Sequence, residues 1–396
     1  MKKNKAPVVI ININRNGIGI ARSLDKKSYS CYGAGTKNTH ELGHYSNAFK
    51  KTFSTPHPSR EPEAFILQLL RIGRKIFNKT GQKPFLIPTN DIYVQTFVTH
   101  IKRISTVFQC AFETDSSTLD ICLLKTKIYQ YCEQHDIDCP STHYTLESYQ
   151  KSKNLNQPVV IKPDNRNLEN GNVFRIKLGH SAKEVKAAIN ELHHNGCTKY
   201  IIQSYIPGED DQLYTAGISS VNGKLYGLFW GRKVRQFPPK LGECSLGESM
   251  PIPADMKTKV SALLMALRYT GMAQIEFKHH EGKYYLMEIN PRSWSWNSLA
   301  THTGVNLPLL LLQHLGKLDN DFETVQSRPG ASWHYATMDL LYNNVKNKNV
   351  SLLQIIKSCA QADVHALFSW RDPLPALVEL IKLPMTFIYK QFRRHV

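Results

Sequence analysis

The chain has 396 residues, 41% of them hydrophobic, enough for two or three domains with cores of their own. Its 50 basic against 32 acidic residues leave a formal charge of +18, which calls for an anionic partner: nucleic acid, a membrane surface or phosphorylated small molecules. No apolar run approaches the roughly 18 to 20 residues that span a bilayer, and Val8 to Ile13 is too short for a signal-peptide core, so a cytoplasmic protein is expected. The lysines are spread along the chain with no zinc finger, RNA-recognition signature or basic low-complexity tail, which makes nucleic acid the minor reading. Cysteines at 31, 110, 122, 132, 139, 197, 244 and 359 show no C-x-x-C pair or zinc-like spacing and read as reduced, structural thiols.

In chain order, Pro7 to Ile13 reads as a β-branched strand, and Asn14 to Arg22, with Gly17 and Gly19, as a glycine turn opening a helix. Arg22 stands where a dinucleotide fingerprint needs its third glycine, so the expected role is a tight turn. Phe65, Leu69, Ile72 and Ile76 predict a helix over 62–78 stopped by Gly81. Pro84 to Pro88 predicts a strand, after which Asn90 and Asp91 cap a helix or line a ligand loop. Leu119 to His135 reads as one helix carrying Lys125 and Lys127. The strand Pro158 to Lys162 ends on a lysine and leads into the polar loop Asp164 to Asn172. Ser181 and Glu184 form a capping box for a helix to about Asn195, and Tyr200 to Tyr205 is the next strand. Asn222-Gly223 marks a hairpin between Leu213–Val221 and Lys224–Lys233, Asp255 caps a helix, and Gly271 closes it.

The stretch Gly271 to Trp296 carries the densest chemistry. Gln274 to Lys278 and Tyr284 to Asn290 alternate as half-buried strands do. A three-residue turn over His280, Glu281 and Gly282 places Glu276, Glu288 and Asn290 on one face, whereas a two-residue turn parts the glutamates. Two carboxylates and an amide are a hard oxygen set suited to Mg²⁺, with Mn²⁺ an allowed substitute. A hairpin with a polar, solvated face is the alternative.

Val159-Val-Ile-Lys162-Pro163, Ile202-Gln-Ser-Tyr-Ile-Pro-Gly208, Gln274-Ile-Glu276-Phe277 and Met287-Glu288-Ile-Asn290-Pro-Arg292 follow one another in an order that resembles the ATP-grasp superfamily, most of all its predicted carboxylate-amine ligases, the group of D-aspartate ligase. The resemblance covers the chain to about Pro308. It implies an α/β and α+β fold in which two α+β lobes grip ATP behind an N-terminal Rossmann-like domain. The expected divisions are 1–115 for that domain, 116–200 for the first lobe with its phosphate-covering loop, 201–325 for the second lobe with the metal site, and 326–396 for a helical extension.

Carried over by residue, the resemblance gives Lys162 and Lys125 (or Lys127) to the ATP phosphates and the main chain around Gln203, Ser204, Tyr205 and Ile206 to the adenine. Glu209, Asp210 or Asp211 falls to the ribose, and Glu276, Glu288 and Asn290 to Mg²⁺. Arg292 is the candidate for holding an acyl phosphate, or else pairs with one of the glutamates. Lys233 and Arg235, on one strand face, turn to phosphates or an anionic substrate, or else end the strand in solvent. Of Trp294, Trp296 and Asn297, one tryptophan is expected against substrate. The phosphate-covering loop departs from the family in holding a single glycine, and Asp136 replaces the first glycine of the G-I-P stretch.

The activity implied is joining a small-molecule carboxylate to an amine through an acyl phosphate, with release of ADP. The alternatives are other ATP-grasp chemistry (acid kinase, carboxylase, acid-thiol ligase) or a basic membrane or nucleic-acid binder on a degenerate fold. Leu377 to Val396, apolar with Lys382, Lys390, Arg393 and Arg394, reads as a basic amphipathic tail that lies on a membrane or docks on the protein. A homodimer is left open.

Overall fold

The computed structural model describes residues 5–382 apart from 25, 27, 37–40, 153, 154, 156, 165–172, 240, 241 and 318–321. The phosphate-covering loop beyond Asp164 and the tail beyond Lys382 therefore lie outside the described residues. The chain divides into two compact units, one of residues 1–116, 215–274 and 291–396, the other of 117–214 and 275–290.

The first unit begins with a parallel sheet formed by β1 (Ala6–Ile11), β2 (Tyr29–Thr36), β3 (Lys51–Thr55), β4 (Phe85–Pro88) and β5 (Gln109–Cys110), in the order β3-β2-β1-β4-β5. Val8 to Ile11 are all fully buried, as a central parallel strand covered on both faces requires. The turn after β1 is made by Asn12 at φ 64°, not by the glycines. Gly17 and Gly19 sit inside the helix α1 (Arg15–Ser23), where a Cβ on Gly17 would lie 2.6 Å from the Asn12 carbonyl oxygen, so they serve close packing. Helix α2 (Pro62–Thr80) ends at left-handed Gly81, and Asn90 caps α3 (Asp91–Thr99) by accepting from the Ile92 amide at 3.2 Å.

In the second unit the predicted single helix over 119–135 is broken. Leu124 is extended (φ −93°, ψ 120°), and a new helix, α4 (Lys125–Gln134), starts at Lys125. The sheet of this unit has the order β6-β9-β7-β8, from β6 (Thr142–His143), β7 (Val159–Pro163), β8 (Lys177–Gly179) and β9 (Tyr200–Ser204). It is covered by α5 (Ala182–His194), whose Val185, Ala188, Ile189 and Leu192 pack on Val159, Ile161 and Ile202.

Back in the first unit, β10 (Leu213–Val221) and β11 (Lys224–Phe237) are joined by Asn222 and Gly223, both at positive φ, the type I′ turn their sequence predicts. The sheet continues through β12 (Glu243–Ser249) to β16 (Ser332–His334) and β17 (Val364–His365), with β15 (Val325–Gln326) beside β11. Asp255 precedes α6 (Met256–Leu267) without capping it; its carboxylate pairs with Lys259 at 2.9 Å, and left-handed Arg268 closes the helix in place of Gly271. Trp294 and Trp296 are 2% and 1% exposed within the main core of this unit, and a Cβ on Gly217 would meet the Trp294 ring at 1.9 Å. Both tryptophans are therefore core residues, which corrects the expectation that one of them lines a substrate pocket. Asn297 is buried too, donating to Asn16 Oδ1 at 2.9 Å and to the Trp294 carbonyl at 2.6 Å.

Candidate functional site

In the second unit Val160 and Gln203 are directly paired across β7 and β9, so Lys162, two residues on from Val160, shares the face of Gln203. The Lys162 ammonium donates to Gln203 Oε1 at 2.9 Å, and the carboxamide nitrogen of Gln203 donates to Thr142 Oγ1 at 3.0 Å. Lys162 and Gln203 are buried, at 8% and 0% exposure. The Gln203 amide thus helps to orient the ammonium.

One residue beyond Pro163, buried Asp164 accepts from the Thr126 amide and from Thr126 Oγ1, each at 2.8 Å. A carboxylate at the first turn of α4 complements the helix dipole and ties the helix start to the end of β7. The same contact brings Lys125, the first residue of α4, to the Lys162 end of the sheet. Lys127 points elsewhere, into an exposed ion pair with Asp120 at 2.7 Å.

The carboxylate hairpin consists of β13 (Gly271–His280) and β14 (Lys283–Asn290). Its turn has two residues, Glu281 at φ 48° and Gly282 at φ 77°, not the expected three. Uninterrupted pairing from such a type I′ turn sets Glu276 opposite Met287 and parts it from Glu288. The alternation of β14 is interrupted, however: Leu286 and Ile289, three residues apart, are the buried pair, and the Leu286 amide donates to the Asp138 carbonyl at 2.8 Å. Glu276 and Glu288 share a face only where an extra residue enters β14, as in a β-bulge; Ile289 is buried, as are Ile275 and Phe277.

Contacts around the hairpin converge on β9 and the segment after it. Lys278, two residues from Glu276 on the same face, donates to the carbonyls of Gly208 at 2.7 Å and Glu209 at 3.1 Å. Tyr129, fully buried on α4, donates to the Met287 carbonyl at 2.5 Å. Burial pushes its phenol well up, a hydrogen bond with Gln203 offsets part of this, and the nearby Glu288 carboxylate adds to it. Tyr129 thus stands between the Lys162–Gln203 pair and Glu288. Asn290 Nδ2 donates to Glu288 Oε1 at 2.9 Å, an arrangement that spends an amide N–H on the carboxylate. Among the described residues no three His, Cys, Asp or Glu side chains form a metal-holding group. The cation ligands expected from the sequence remain Glu276, Glu288 and Asn290.

Beyond β9, the Ser204 and Tyr205 amides donate to the carbonyls of Ser141 and Pro158 at 2.9 and 3.0 Å, so both of these amides expected at the adenine are engaged within the protein. Asp210 and Asp211 begin a single 3₁₀ turn, with Gln212 donating to Asp211 at 3.2 Å.

The remaining candidates belong to the first unit. Arg292 is held by Asp91, Nε to Oδ1 at 2.8 Å and Nη2 to Oδ2 at 3.2 Å, an ion pair with the start of α3. The bulge of β11 at Lys233 and Arg235 breaks the alternation assumed for them. Lys233 is buried and donates to the Gly242 carbonyl at 3.3 Å. Arg235 binds fully buried Asp339 through Nε at 3.1 Å and Nη2 at 2.5 Å, and donates to Ser358 Oγ at 2.8 Å. His334 Nε2 lies 2.9 Å from the same carboxylate. Burial alone would raise Asp339, but hydrogen bonds from His334 and Ser245 and the Arg235 charge hold it well below the usual carboxylate range. Arg235 accordingly serves a packed ionic network, not a solvated strand end.

A polar cleft of about 340 Å³ opens beyond the ends of β1, β2 and β4, lined among others by Asn12, Asn14, Thr36, His57 and Asn90. It lies where the strand order reverses, the place at which open α/β sheets bind ligands. Asn90 lines this cleft as well as capping α3. Tyr129, Asp164 and the cleft itself escape sequence reasoning, because each depends on residues far apart in the chain.

No protein-family model and no curated protein matches the chain. Among solved structures it is similar to an L-amino acid ligase from Bacillus licheniformis, with a TM-score of 0.57 and 16% identity over 83% of this chain and 79% of that one. It is similar also to an N5-carboxyaminoimidazole synthetase from Staphylococcus aureus complexed with ADP, with a TM-score of 0.62 and 10% identity over 88% of each chain. A biotin carboxylase from Campylobacter jejuni gives a TM-score of 0.59 at 12% identity over 82% of this chain and 74% of that one. At such identities the likeness is one of fold, and that fold is ATP-grasp.

Proposed function

We propose that this chain, built on the ATP-grasp fold, is an ATP-dependent carboxylate-amine ligase that activates an acid as its acyl phosphate and releases ADP and phosphate. The observation that carries the reading is the joining, within one unit, of Lys162, Gln203, Tyr129 and Glu288 with Asn290 at the strand end. Lys162 and Lys125 bind the ATP phosphates, the segment from Gln203 to Ile206 receives the base, and Asp210 or Asp211 receives the ribose. Glu276, Glu288 and Asn290 are hard oxygen donors that suit Mg²⁺, which when bound neutralises charge on the β- and γ-phosphates.

The remaining steps fall to the chain's own groups. Lys162, oriented by the Gln203 amide, is the cation offered to a phosphate. Arg292 has a bidentate geometry for a carboxylate or phosphate, and Asp91 is the group that occupies it until an anionic substrate competes. Lys233 is retained as a binding candidate, and Arg235 as a support of the strand that carries it. The polar cleft of the N-terminal sheet is the candidate pocket for one of the small-molecule substrates.

The test is to incubate the protein with ATP, Mg²⁺ and pooled carboxylates and amines, following ADP against AMP and new masses. ADP release that requires both an acid and an amine supports the ligase, and AMP as product overturns the acyl-phosphate route. The similarity to carboxylases favours a second reading on the same fold, in which bicarbonate serves as the acid; turnover dependent on bicarbonate, with no other carboxylate, identifies it.

A further inference from the structure

Residues 374–382 form a helix that turns its larger apolar side chains outward, unlike the usual surface helix. Its inward side carries polar contacts beside Ala376, which packs on the main core: Glu379 accepts from Tyr335 Oη at 2.5 Å and from Thr337 Oγ1 at 2.7 Å, and Lys382 donates to Tyr45 Oη at 3.2 Å. Pro375, four residues before Glu379, is buried on that side. The outward side is apolar. Leu374, Leu377, Leu380 and Ile381 follow at i, i+3, i+6 and i+7 and are 54%, 47%, 56% and 75% exposed. Trp370, just before the helix, is 89% exposed, while Trp230, Trp294, Trp296 and Trp333 are all buried. The helix Leu352–Gln361 likewise turns Leu352, Leu353 and Ile356 outward.

Isolated apolar side chains on a surface are ordinary, but a helix that pins its acid inward and presents its leucines to solvent implies something that covers them. Charge selects the occupant. The helix leads into residues carrying Lys390, Arg393 and Arg394, on a chain of formal charge +18. A second copy would bring like charges together, whereas an anionic lipid surface is attracted to the cations and takes up the apolar side chains. Tryptophan beside leucine and isoleucine, next to basic residues, is the composition of an interfacial contact. No helix among the described residues is long and apolar enough to cross a membrane. We infer that Trp370 and the outward face of residues 374–382 dock the protein on an anionic lipid bilayer. This inference does not rest on the ligase reading.

The test uses the full chain with vesicles of phosphatidylcholine alone or of equal parts phosphatidylcholine and phosphatidylglycerol, read by flotation and by quenching of Trp370 with brominated acyl chains. Expected are flotation with the anionic vesicles that salt weakens, and quenching that Trp370→Ala removes. Leu377→Glu combined with Ile381→Glu should lower partitioning about tenfold or more at unchanged Tm. If that pair fails to fold, Trp370→Glu, outside the helix, is the second variant and should lower partitioning in the same direction. Three results overturn the inference: no flotation with anionic vesicles; flotation indifferent to the substitutions; or concentration-dependent dimers, abolished by them, in a protein that vesicles leave free. A fourth is protection of Trp370 from acrylamide without lipid, which would mean that the chain covers this face itself.

Discussion

Two cations close two strands, Lys162 on β7 and Arg235 on β11, and in the sequence they look alike. Lys162 meets the carboxamide of Gln203, whereas Arg235 meets the buried carboxylate of Asp339. An amide orients a cation through a hydrogen bond; a buried carboxylate also supplies the opposite charge, which makes that pair structural. The partner of a cation, more than its place at a strand end, decides between binding and support. Arg292 lies between the two cases, because Asp91 is 37% exposed and can be displaced, while Asp339 is fully buried.

The contrast predicts opposite phenotypes. Largest should be the effects of Glu288→Gln and Lys162→Met on ATP-dependent ADP release, each about a hundredfold or more, roughly 2.7 kcal/mol in barrier, at nearly unchanged Tm. A melting temperature that falls in step with activity would turn these residues into structural ones.

Asp339→Asn should instead destabilise by about 3 kcal/mol, since it leaves Arg235 and His334 around an uncharged group, with turnover per folded molecule retained. Because the Asp339 carboxylate is depressed in the folded state, its contribution is complete above the unfolded carboxylate range near pH ~4 and fades as pH falls below it. Urea unfolding at a series of pH values should therefore show the gap between wild type and Asp339→Asn narrowing toward acid; a constant gap breaks the assignment.

The two lysines of α4 sharpen the comparison. Lys127→Ala removes an exposed pair with Asp120, worth about 0 to 1 kcal/mol, and should leave nucleotide titrations unchanged. Lys125→Ala should weaken nucleotide binding about tenfold, roughly 1.4 kcal/mol. Equal behaviour of the two variants in a calorimetric ADP titration would show that the Asp164–Thr126 contact does not single out Lys125.

Smallest is Glu281→Asn. It relieves a left-handed non-glycine residue and makes the Asn-Gly turn that a two-residue hairpin favours, for a gain of about 0.5 to 1 kcal/mol in thermal unfolding. A loss would mean that the turn is not the relaxed type I′ form.

The order of elements and most of their ends were legible in the chain because they depend on near neighbours. Gly81 stops α2, Asn222-Gly223 turns β10 into β11, and Asn90 caps α3 through interactions spanning a few residues. Lys162, Glu276, Glu288 and Asn290 were legible as types of chemistry in sequence, and their order pointed to the ATP-grasp fold that the solved structures share. The length of the turn at Glu281-Gly282, the break at Leu124 and the closing of α6 by Arg268 were not, since each is a choice between local conformations close in energy.

Only the tertiary structure decided what each charged or aromatic side chain meets. Asp339 lies 104 residues from Arg235, Asp91 lies 201 from Arg292, and Tyr129 lies 158 from Met287. Hydrophobic period and turn chemistry are written in consecutive residues and survive reading one at a time. Whether a cation is left for a ligand or consumed by a buried carboxylate depends on packing between distant segments, and there burial and hydrogen bonding set the outcome.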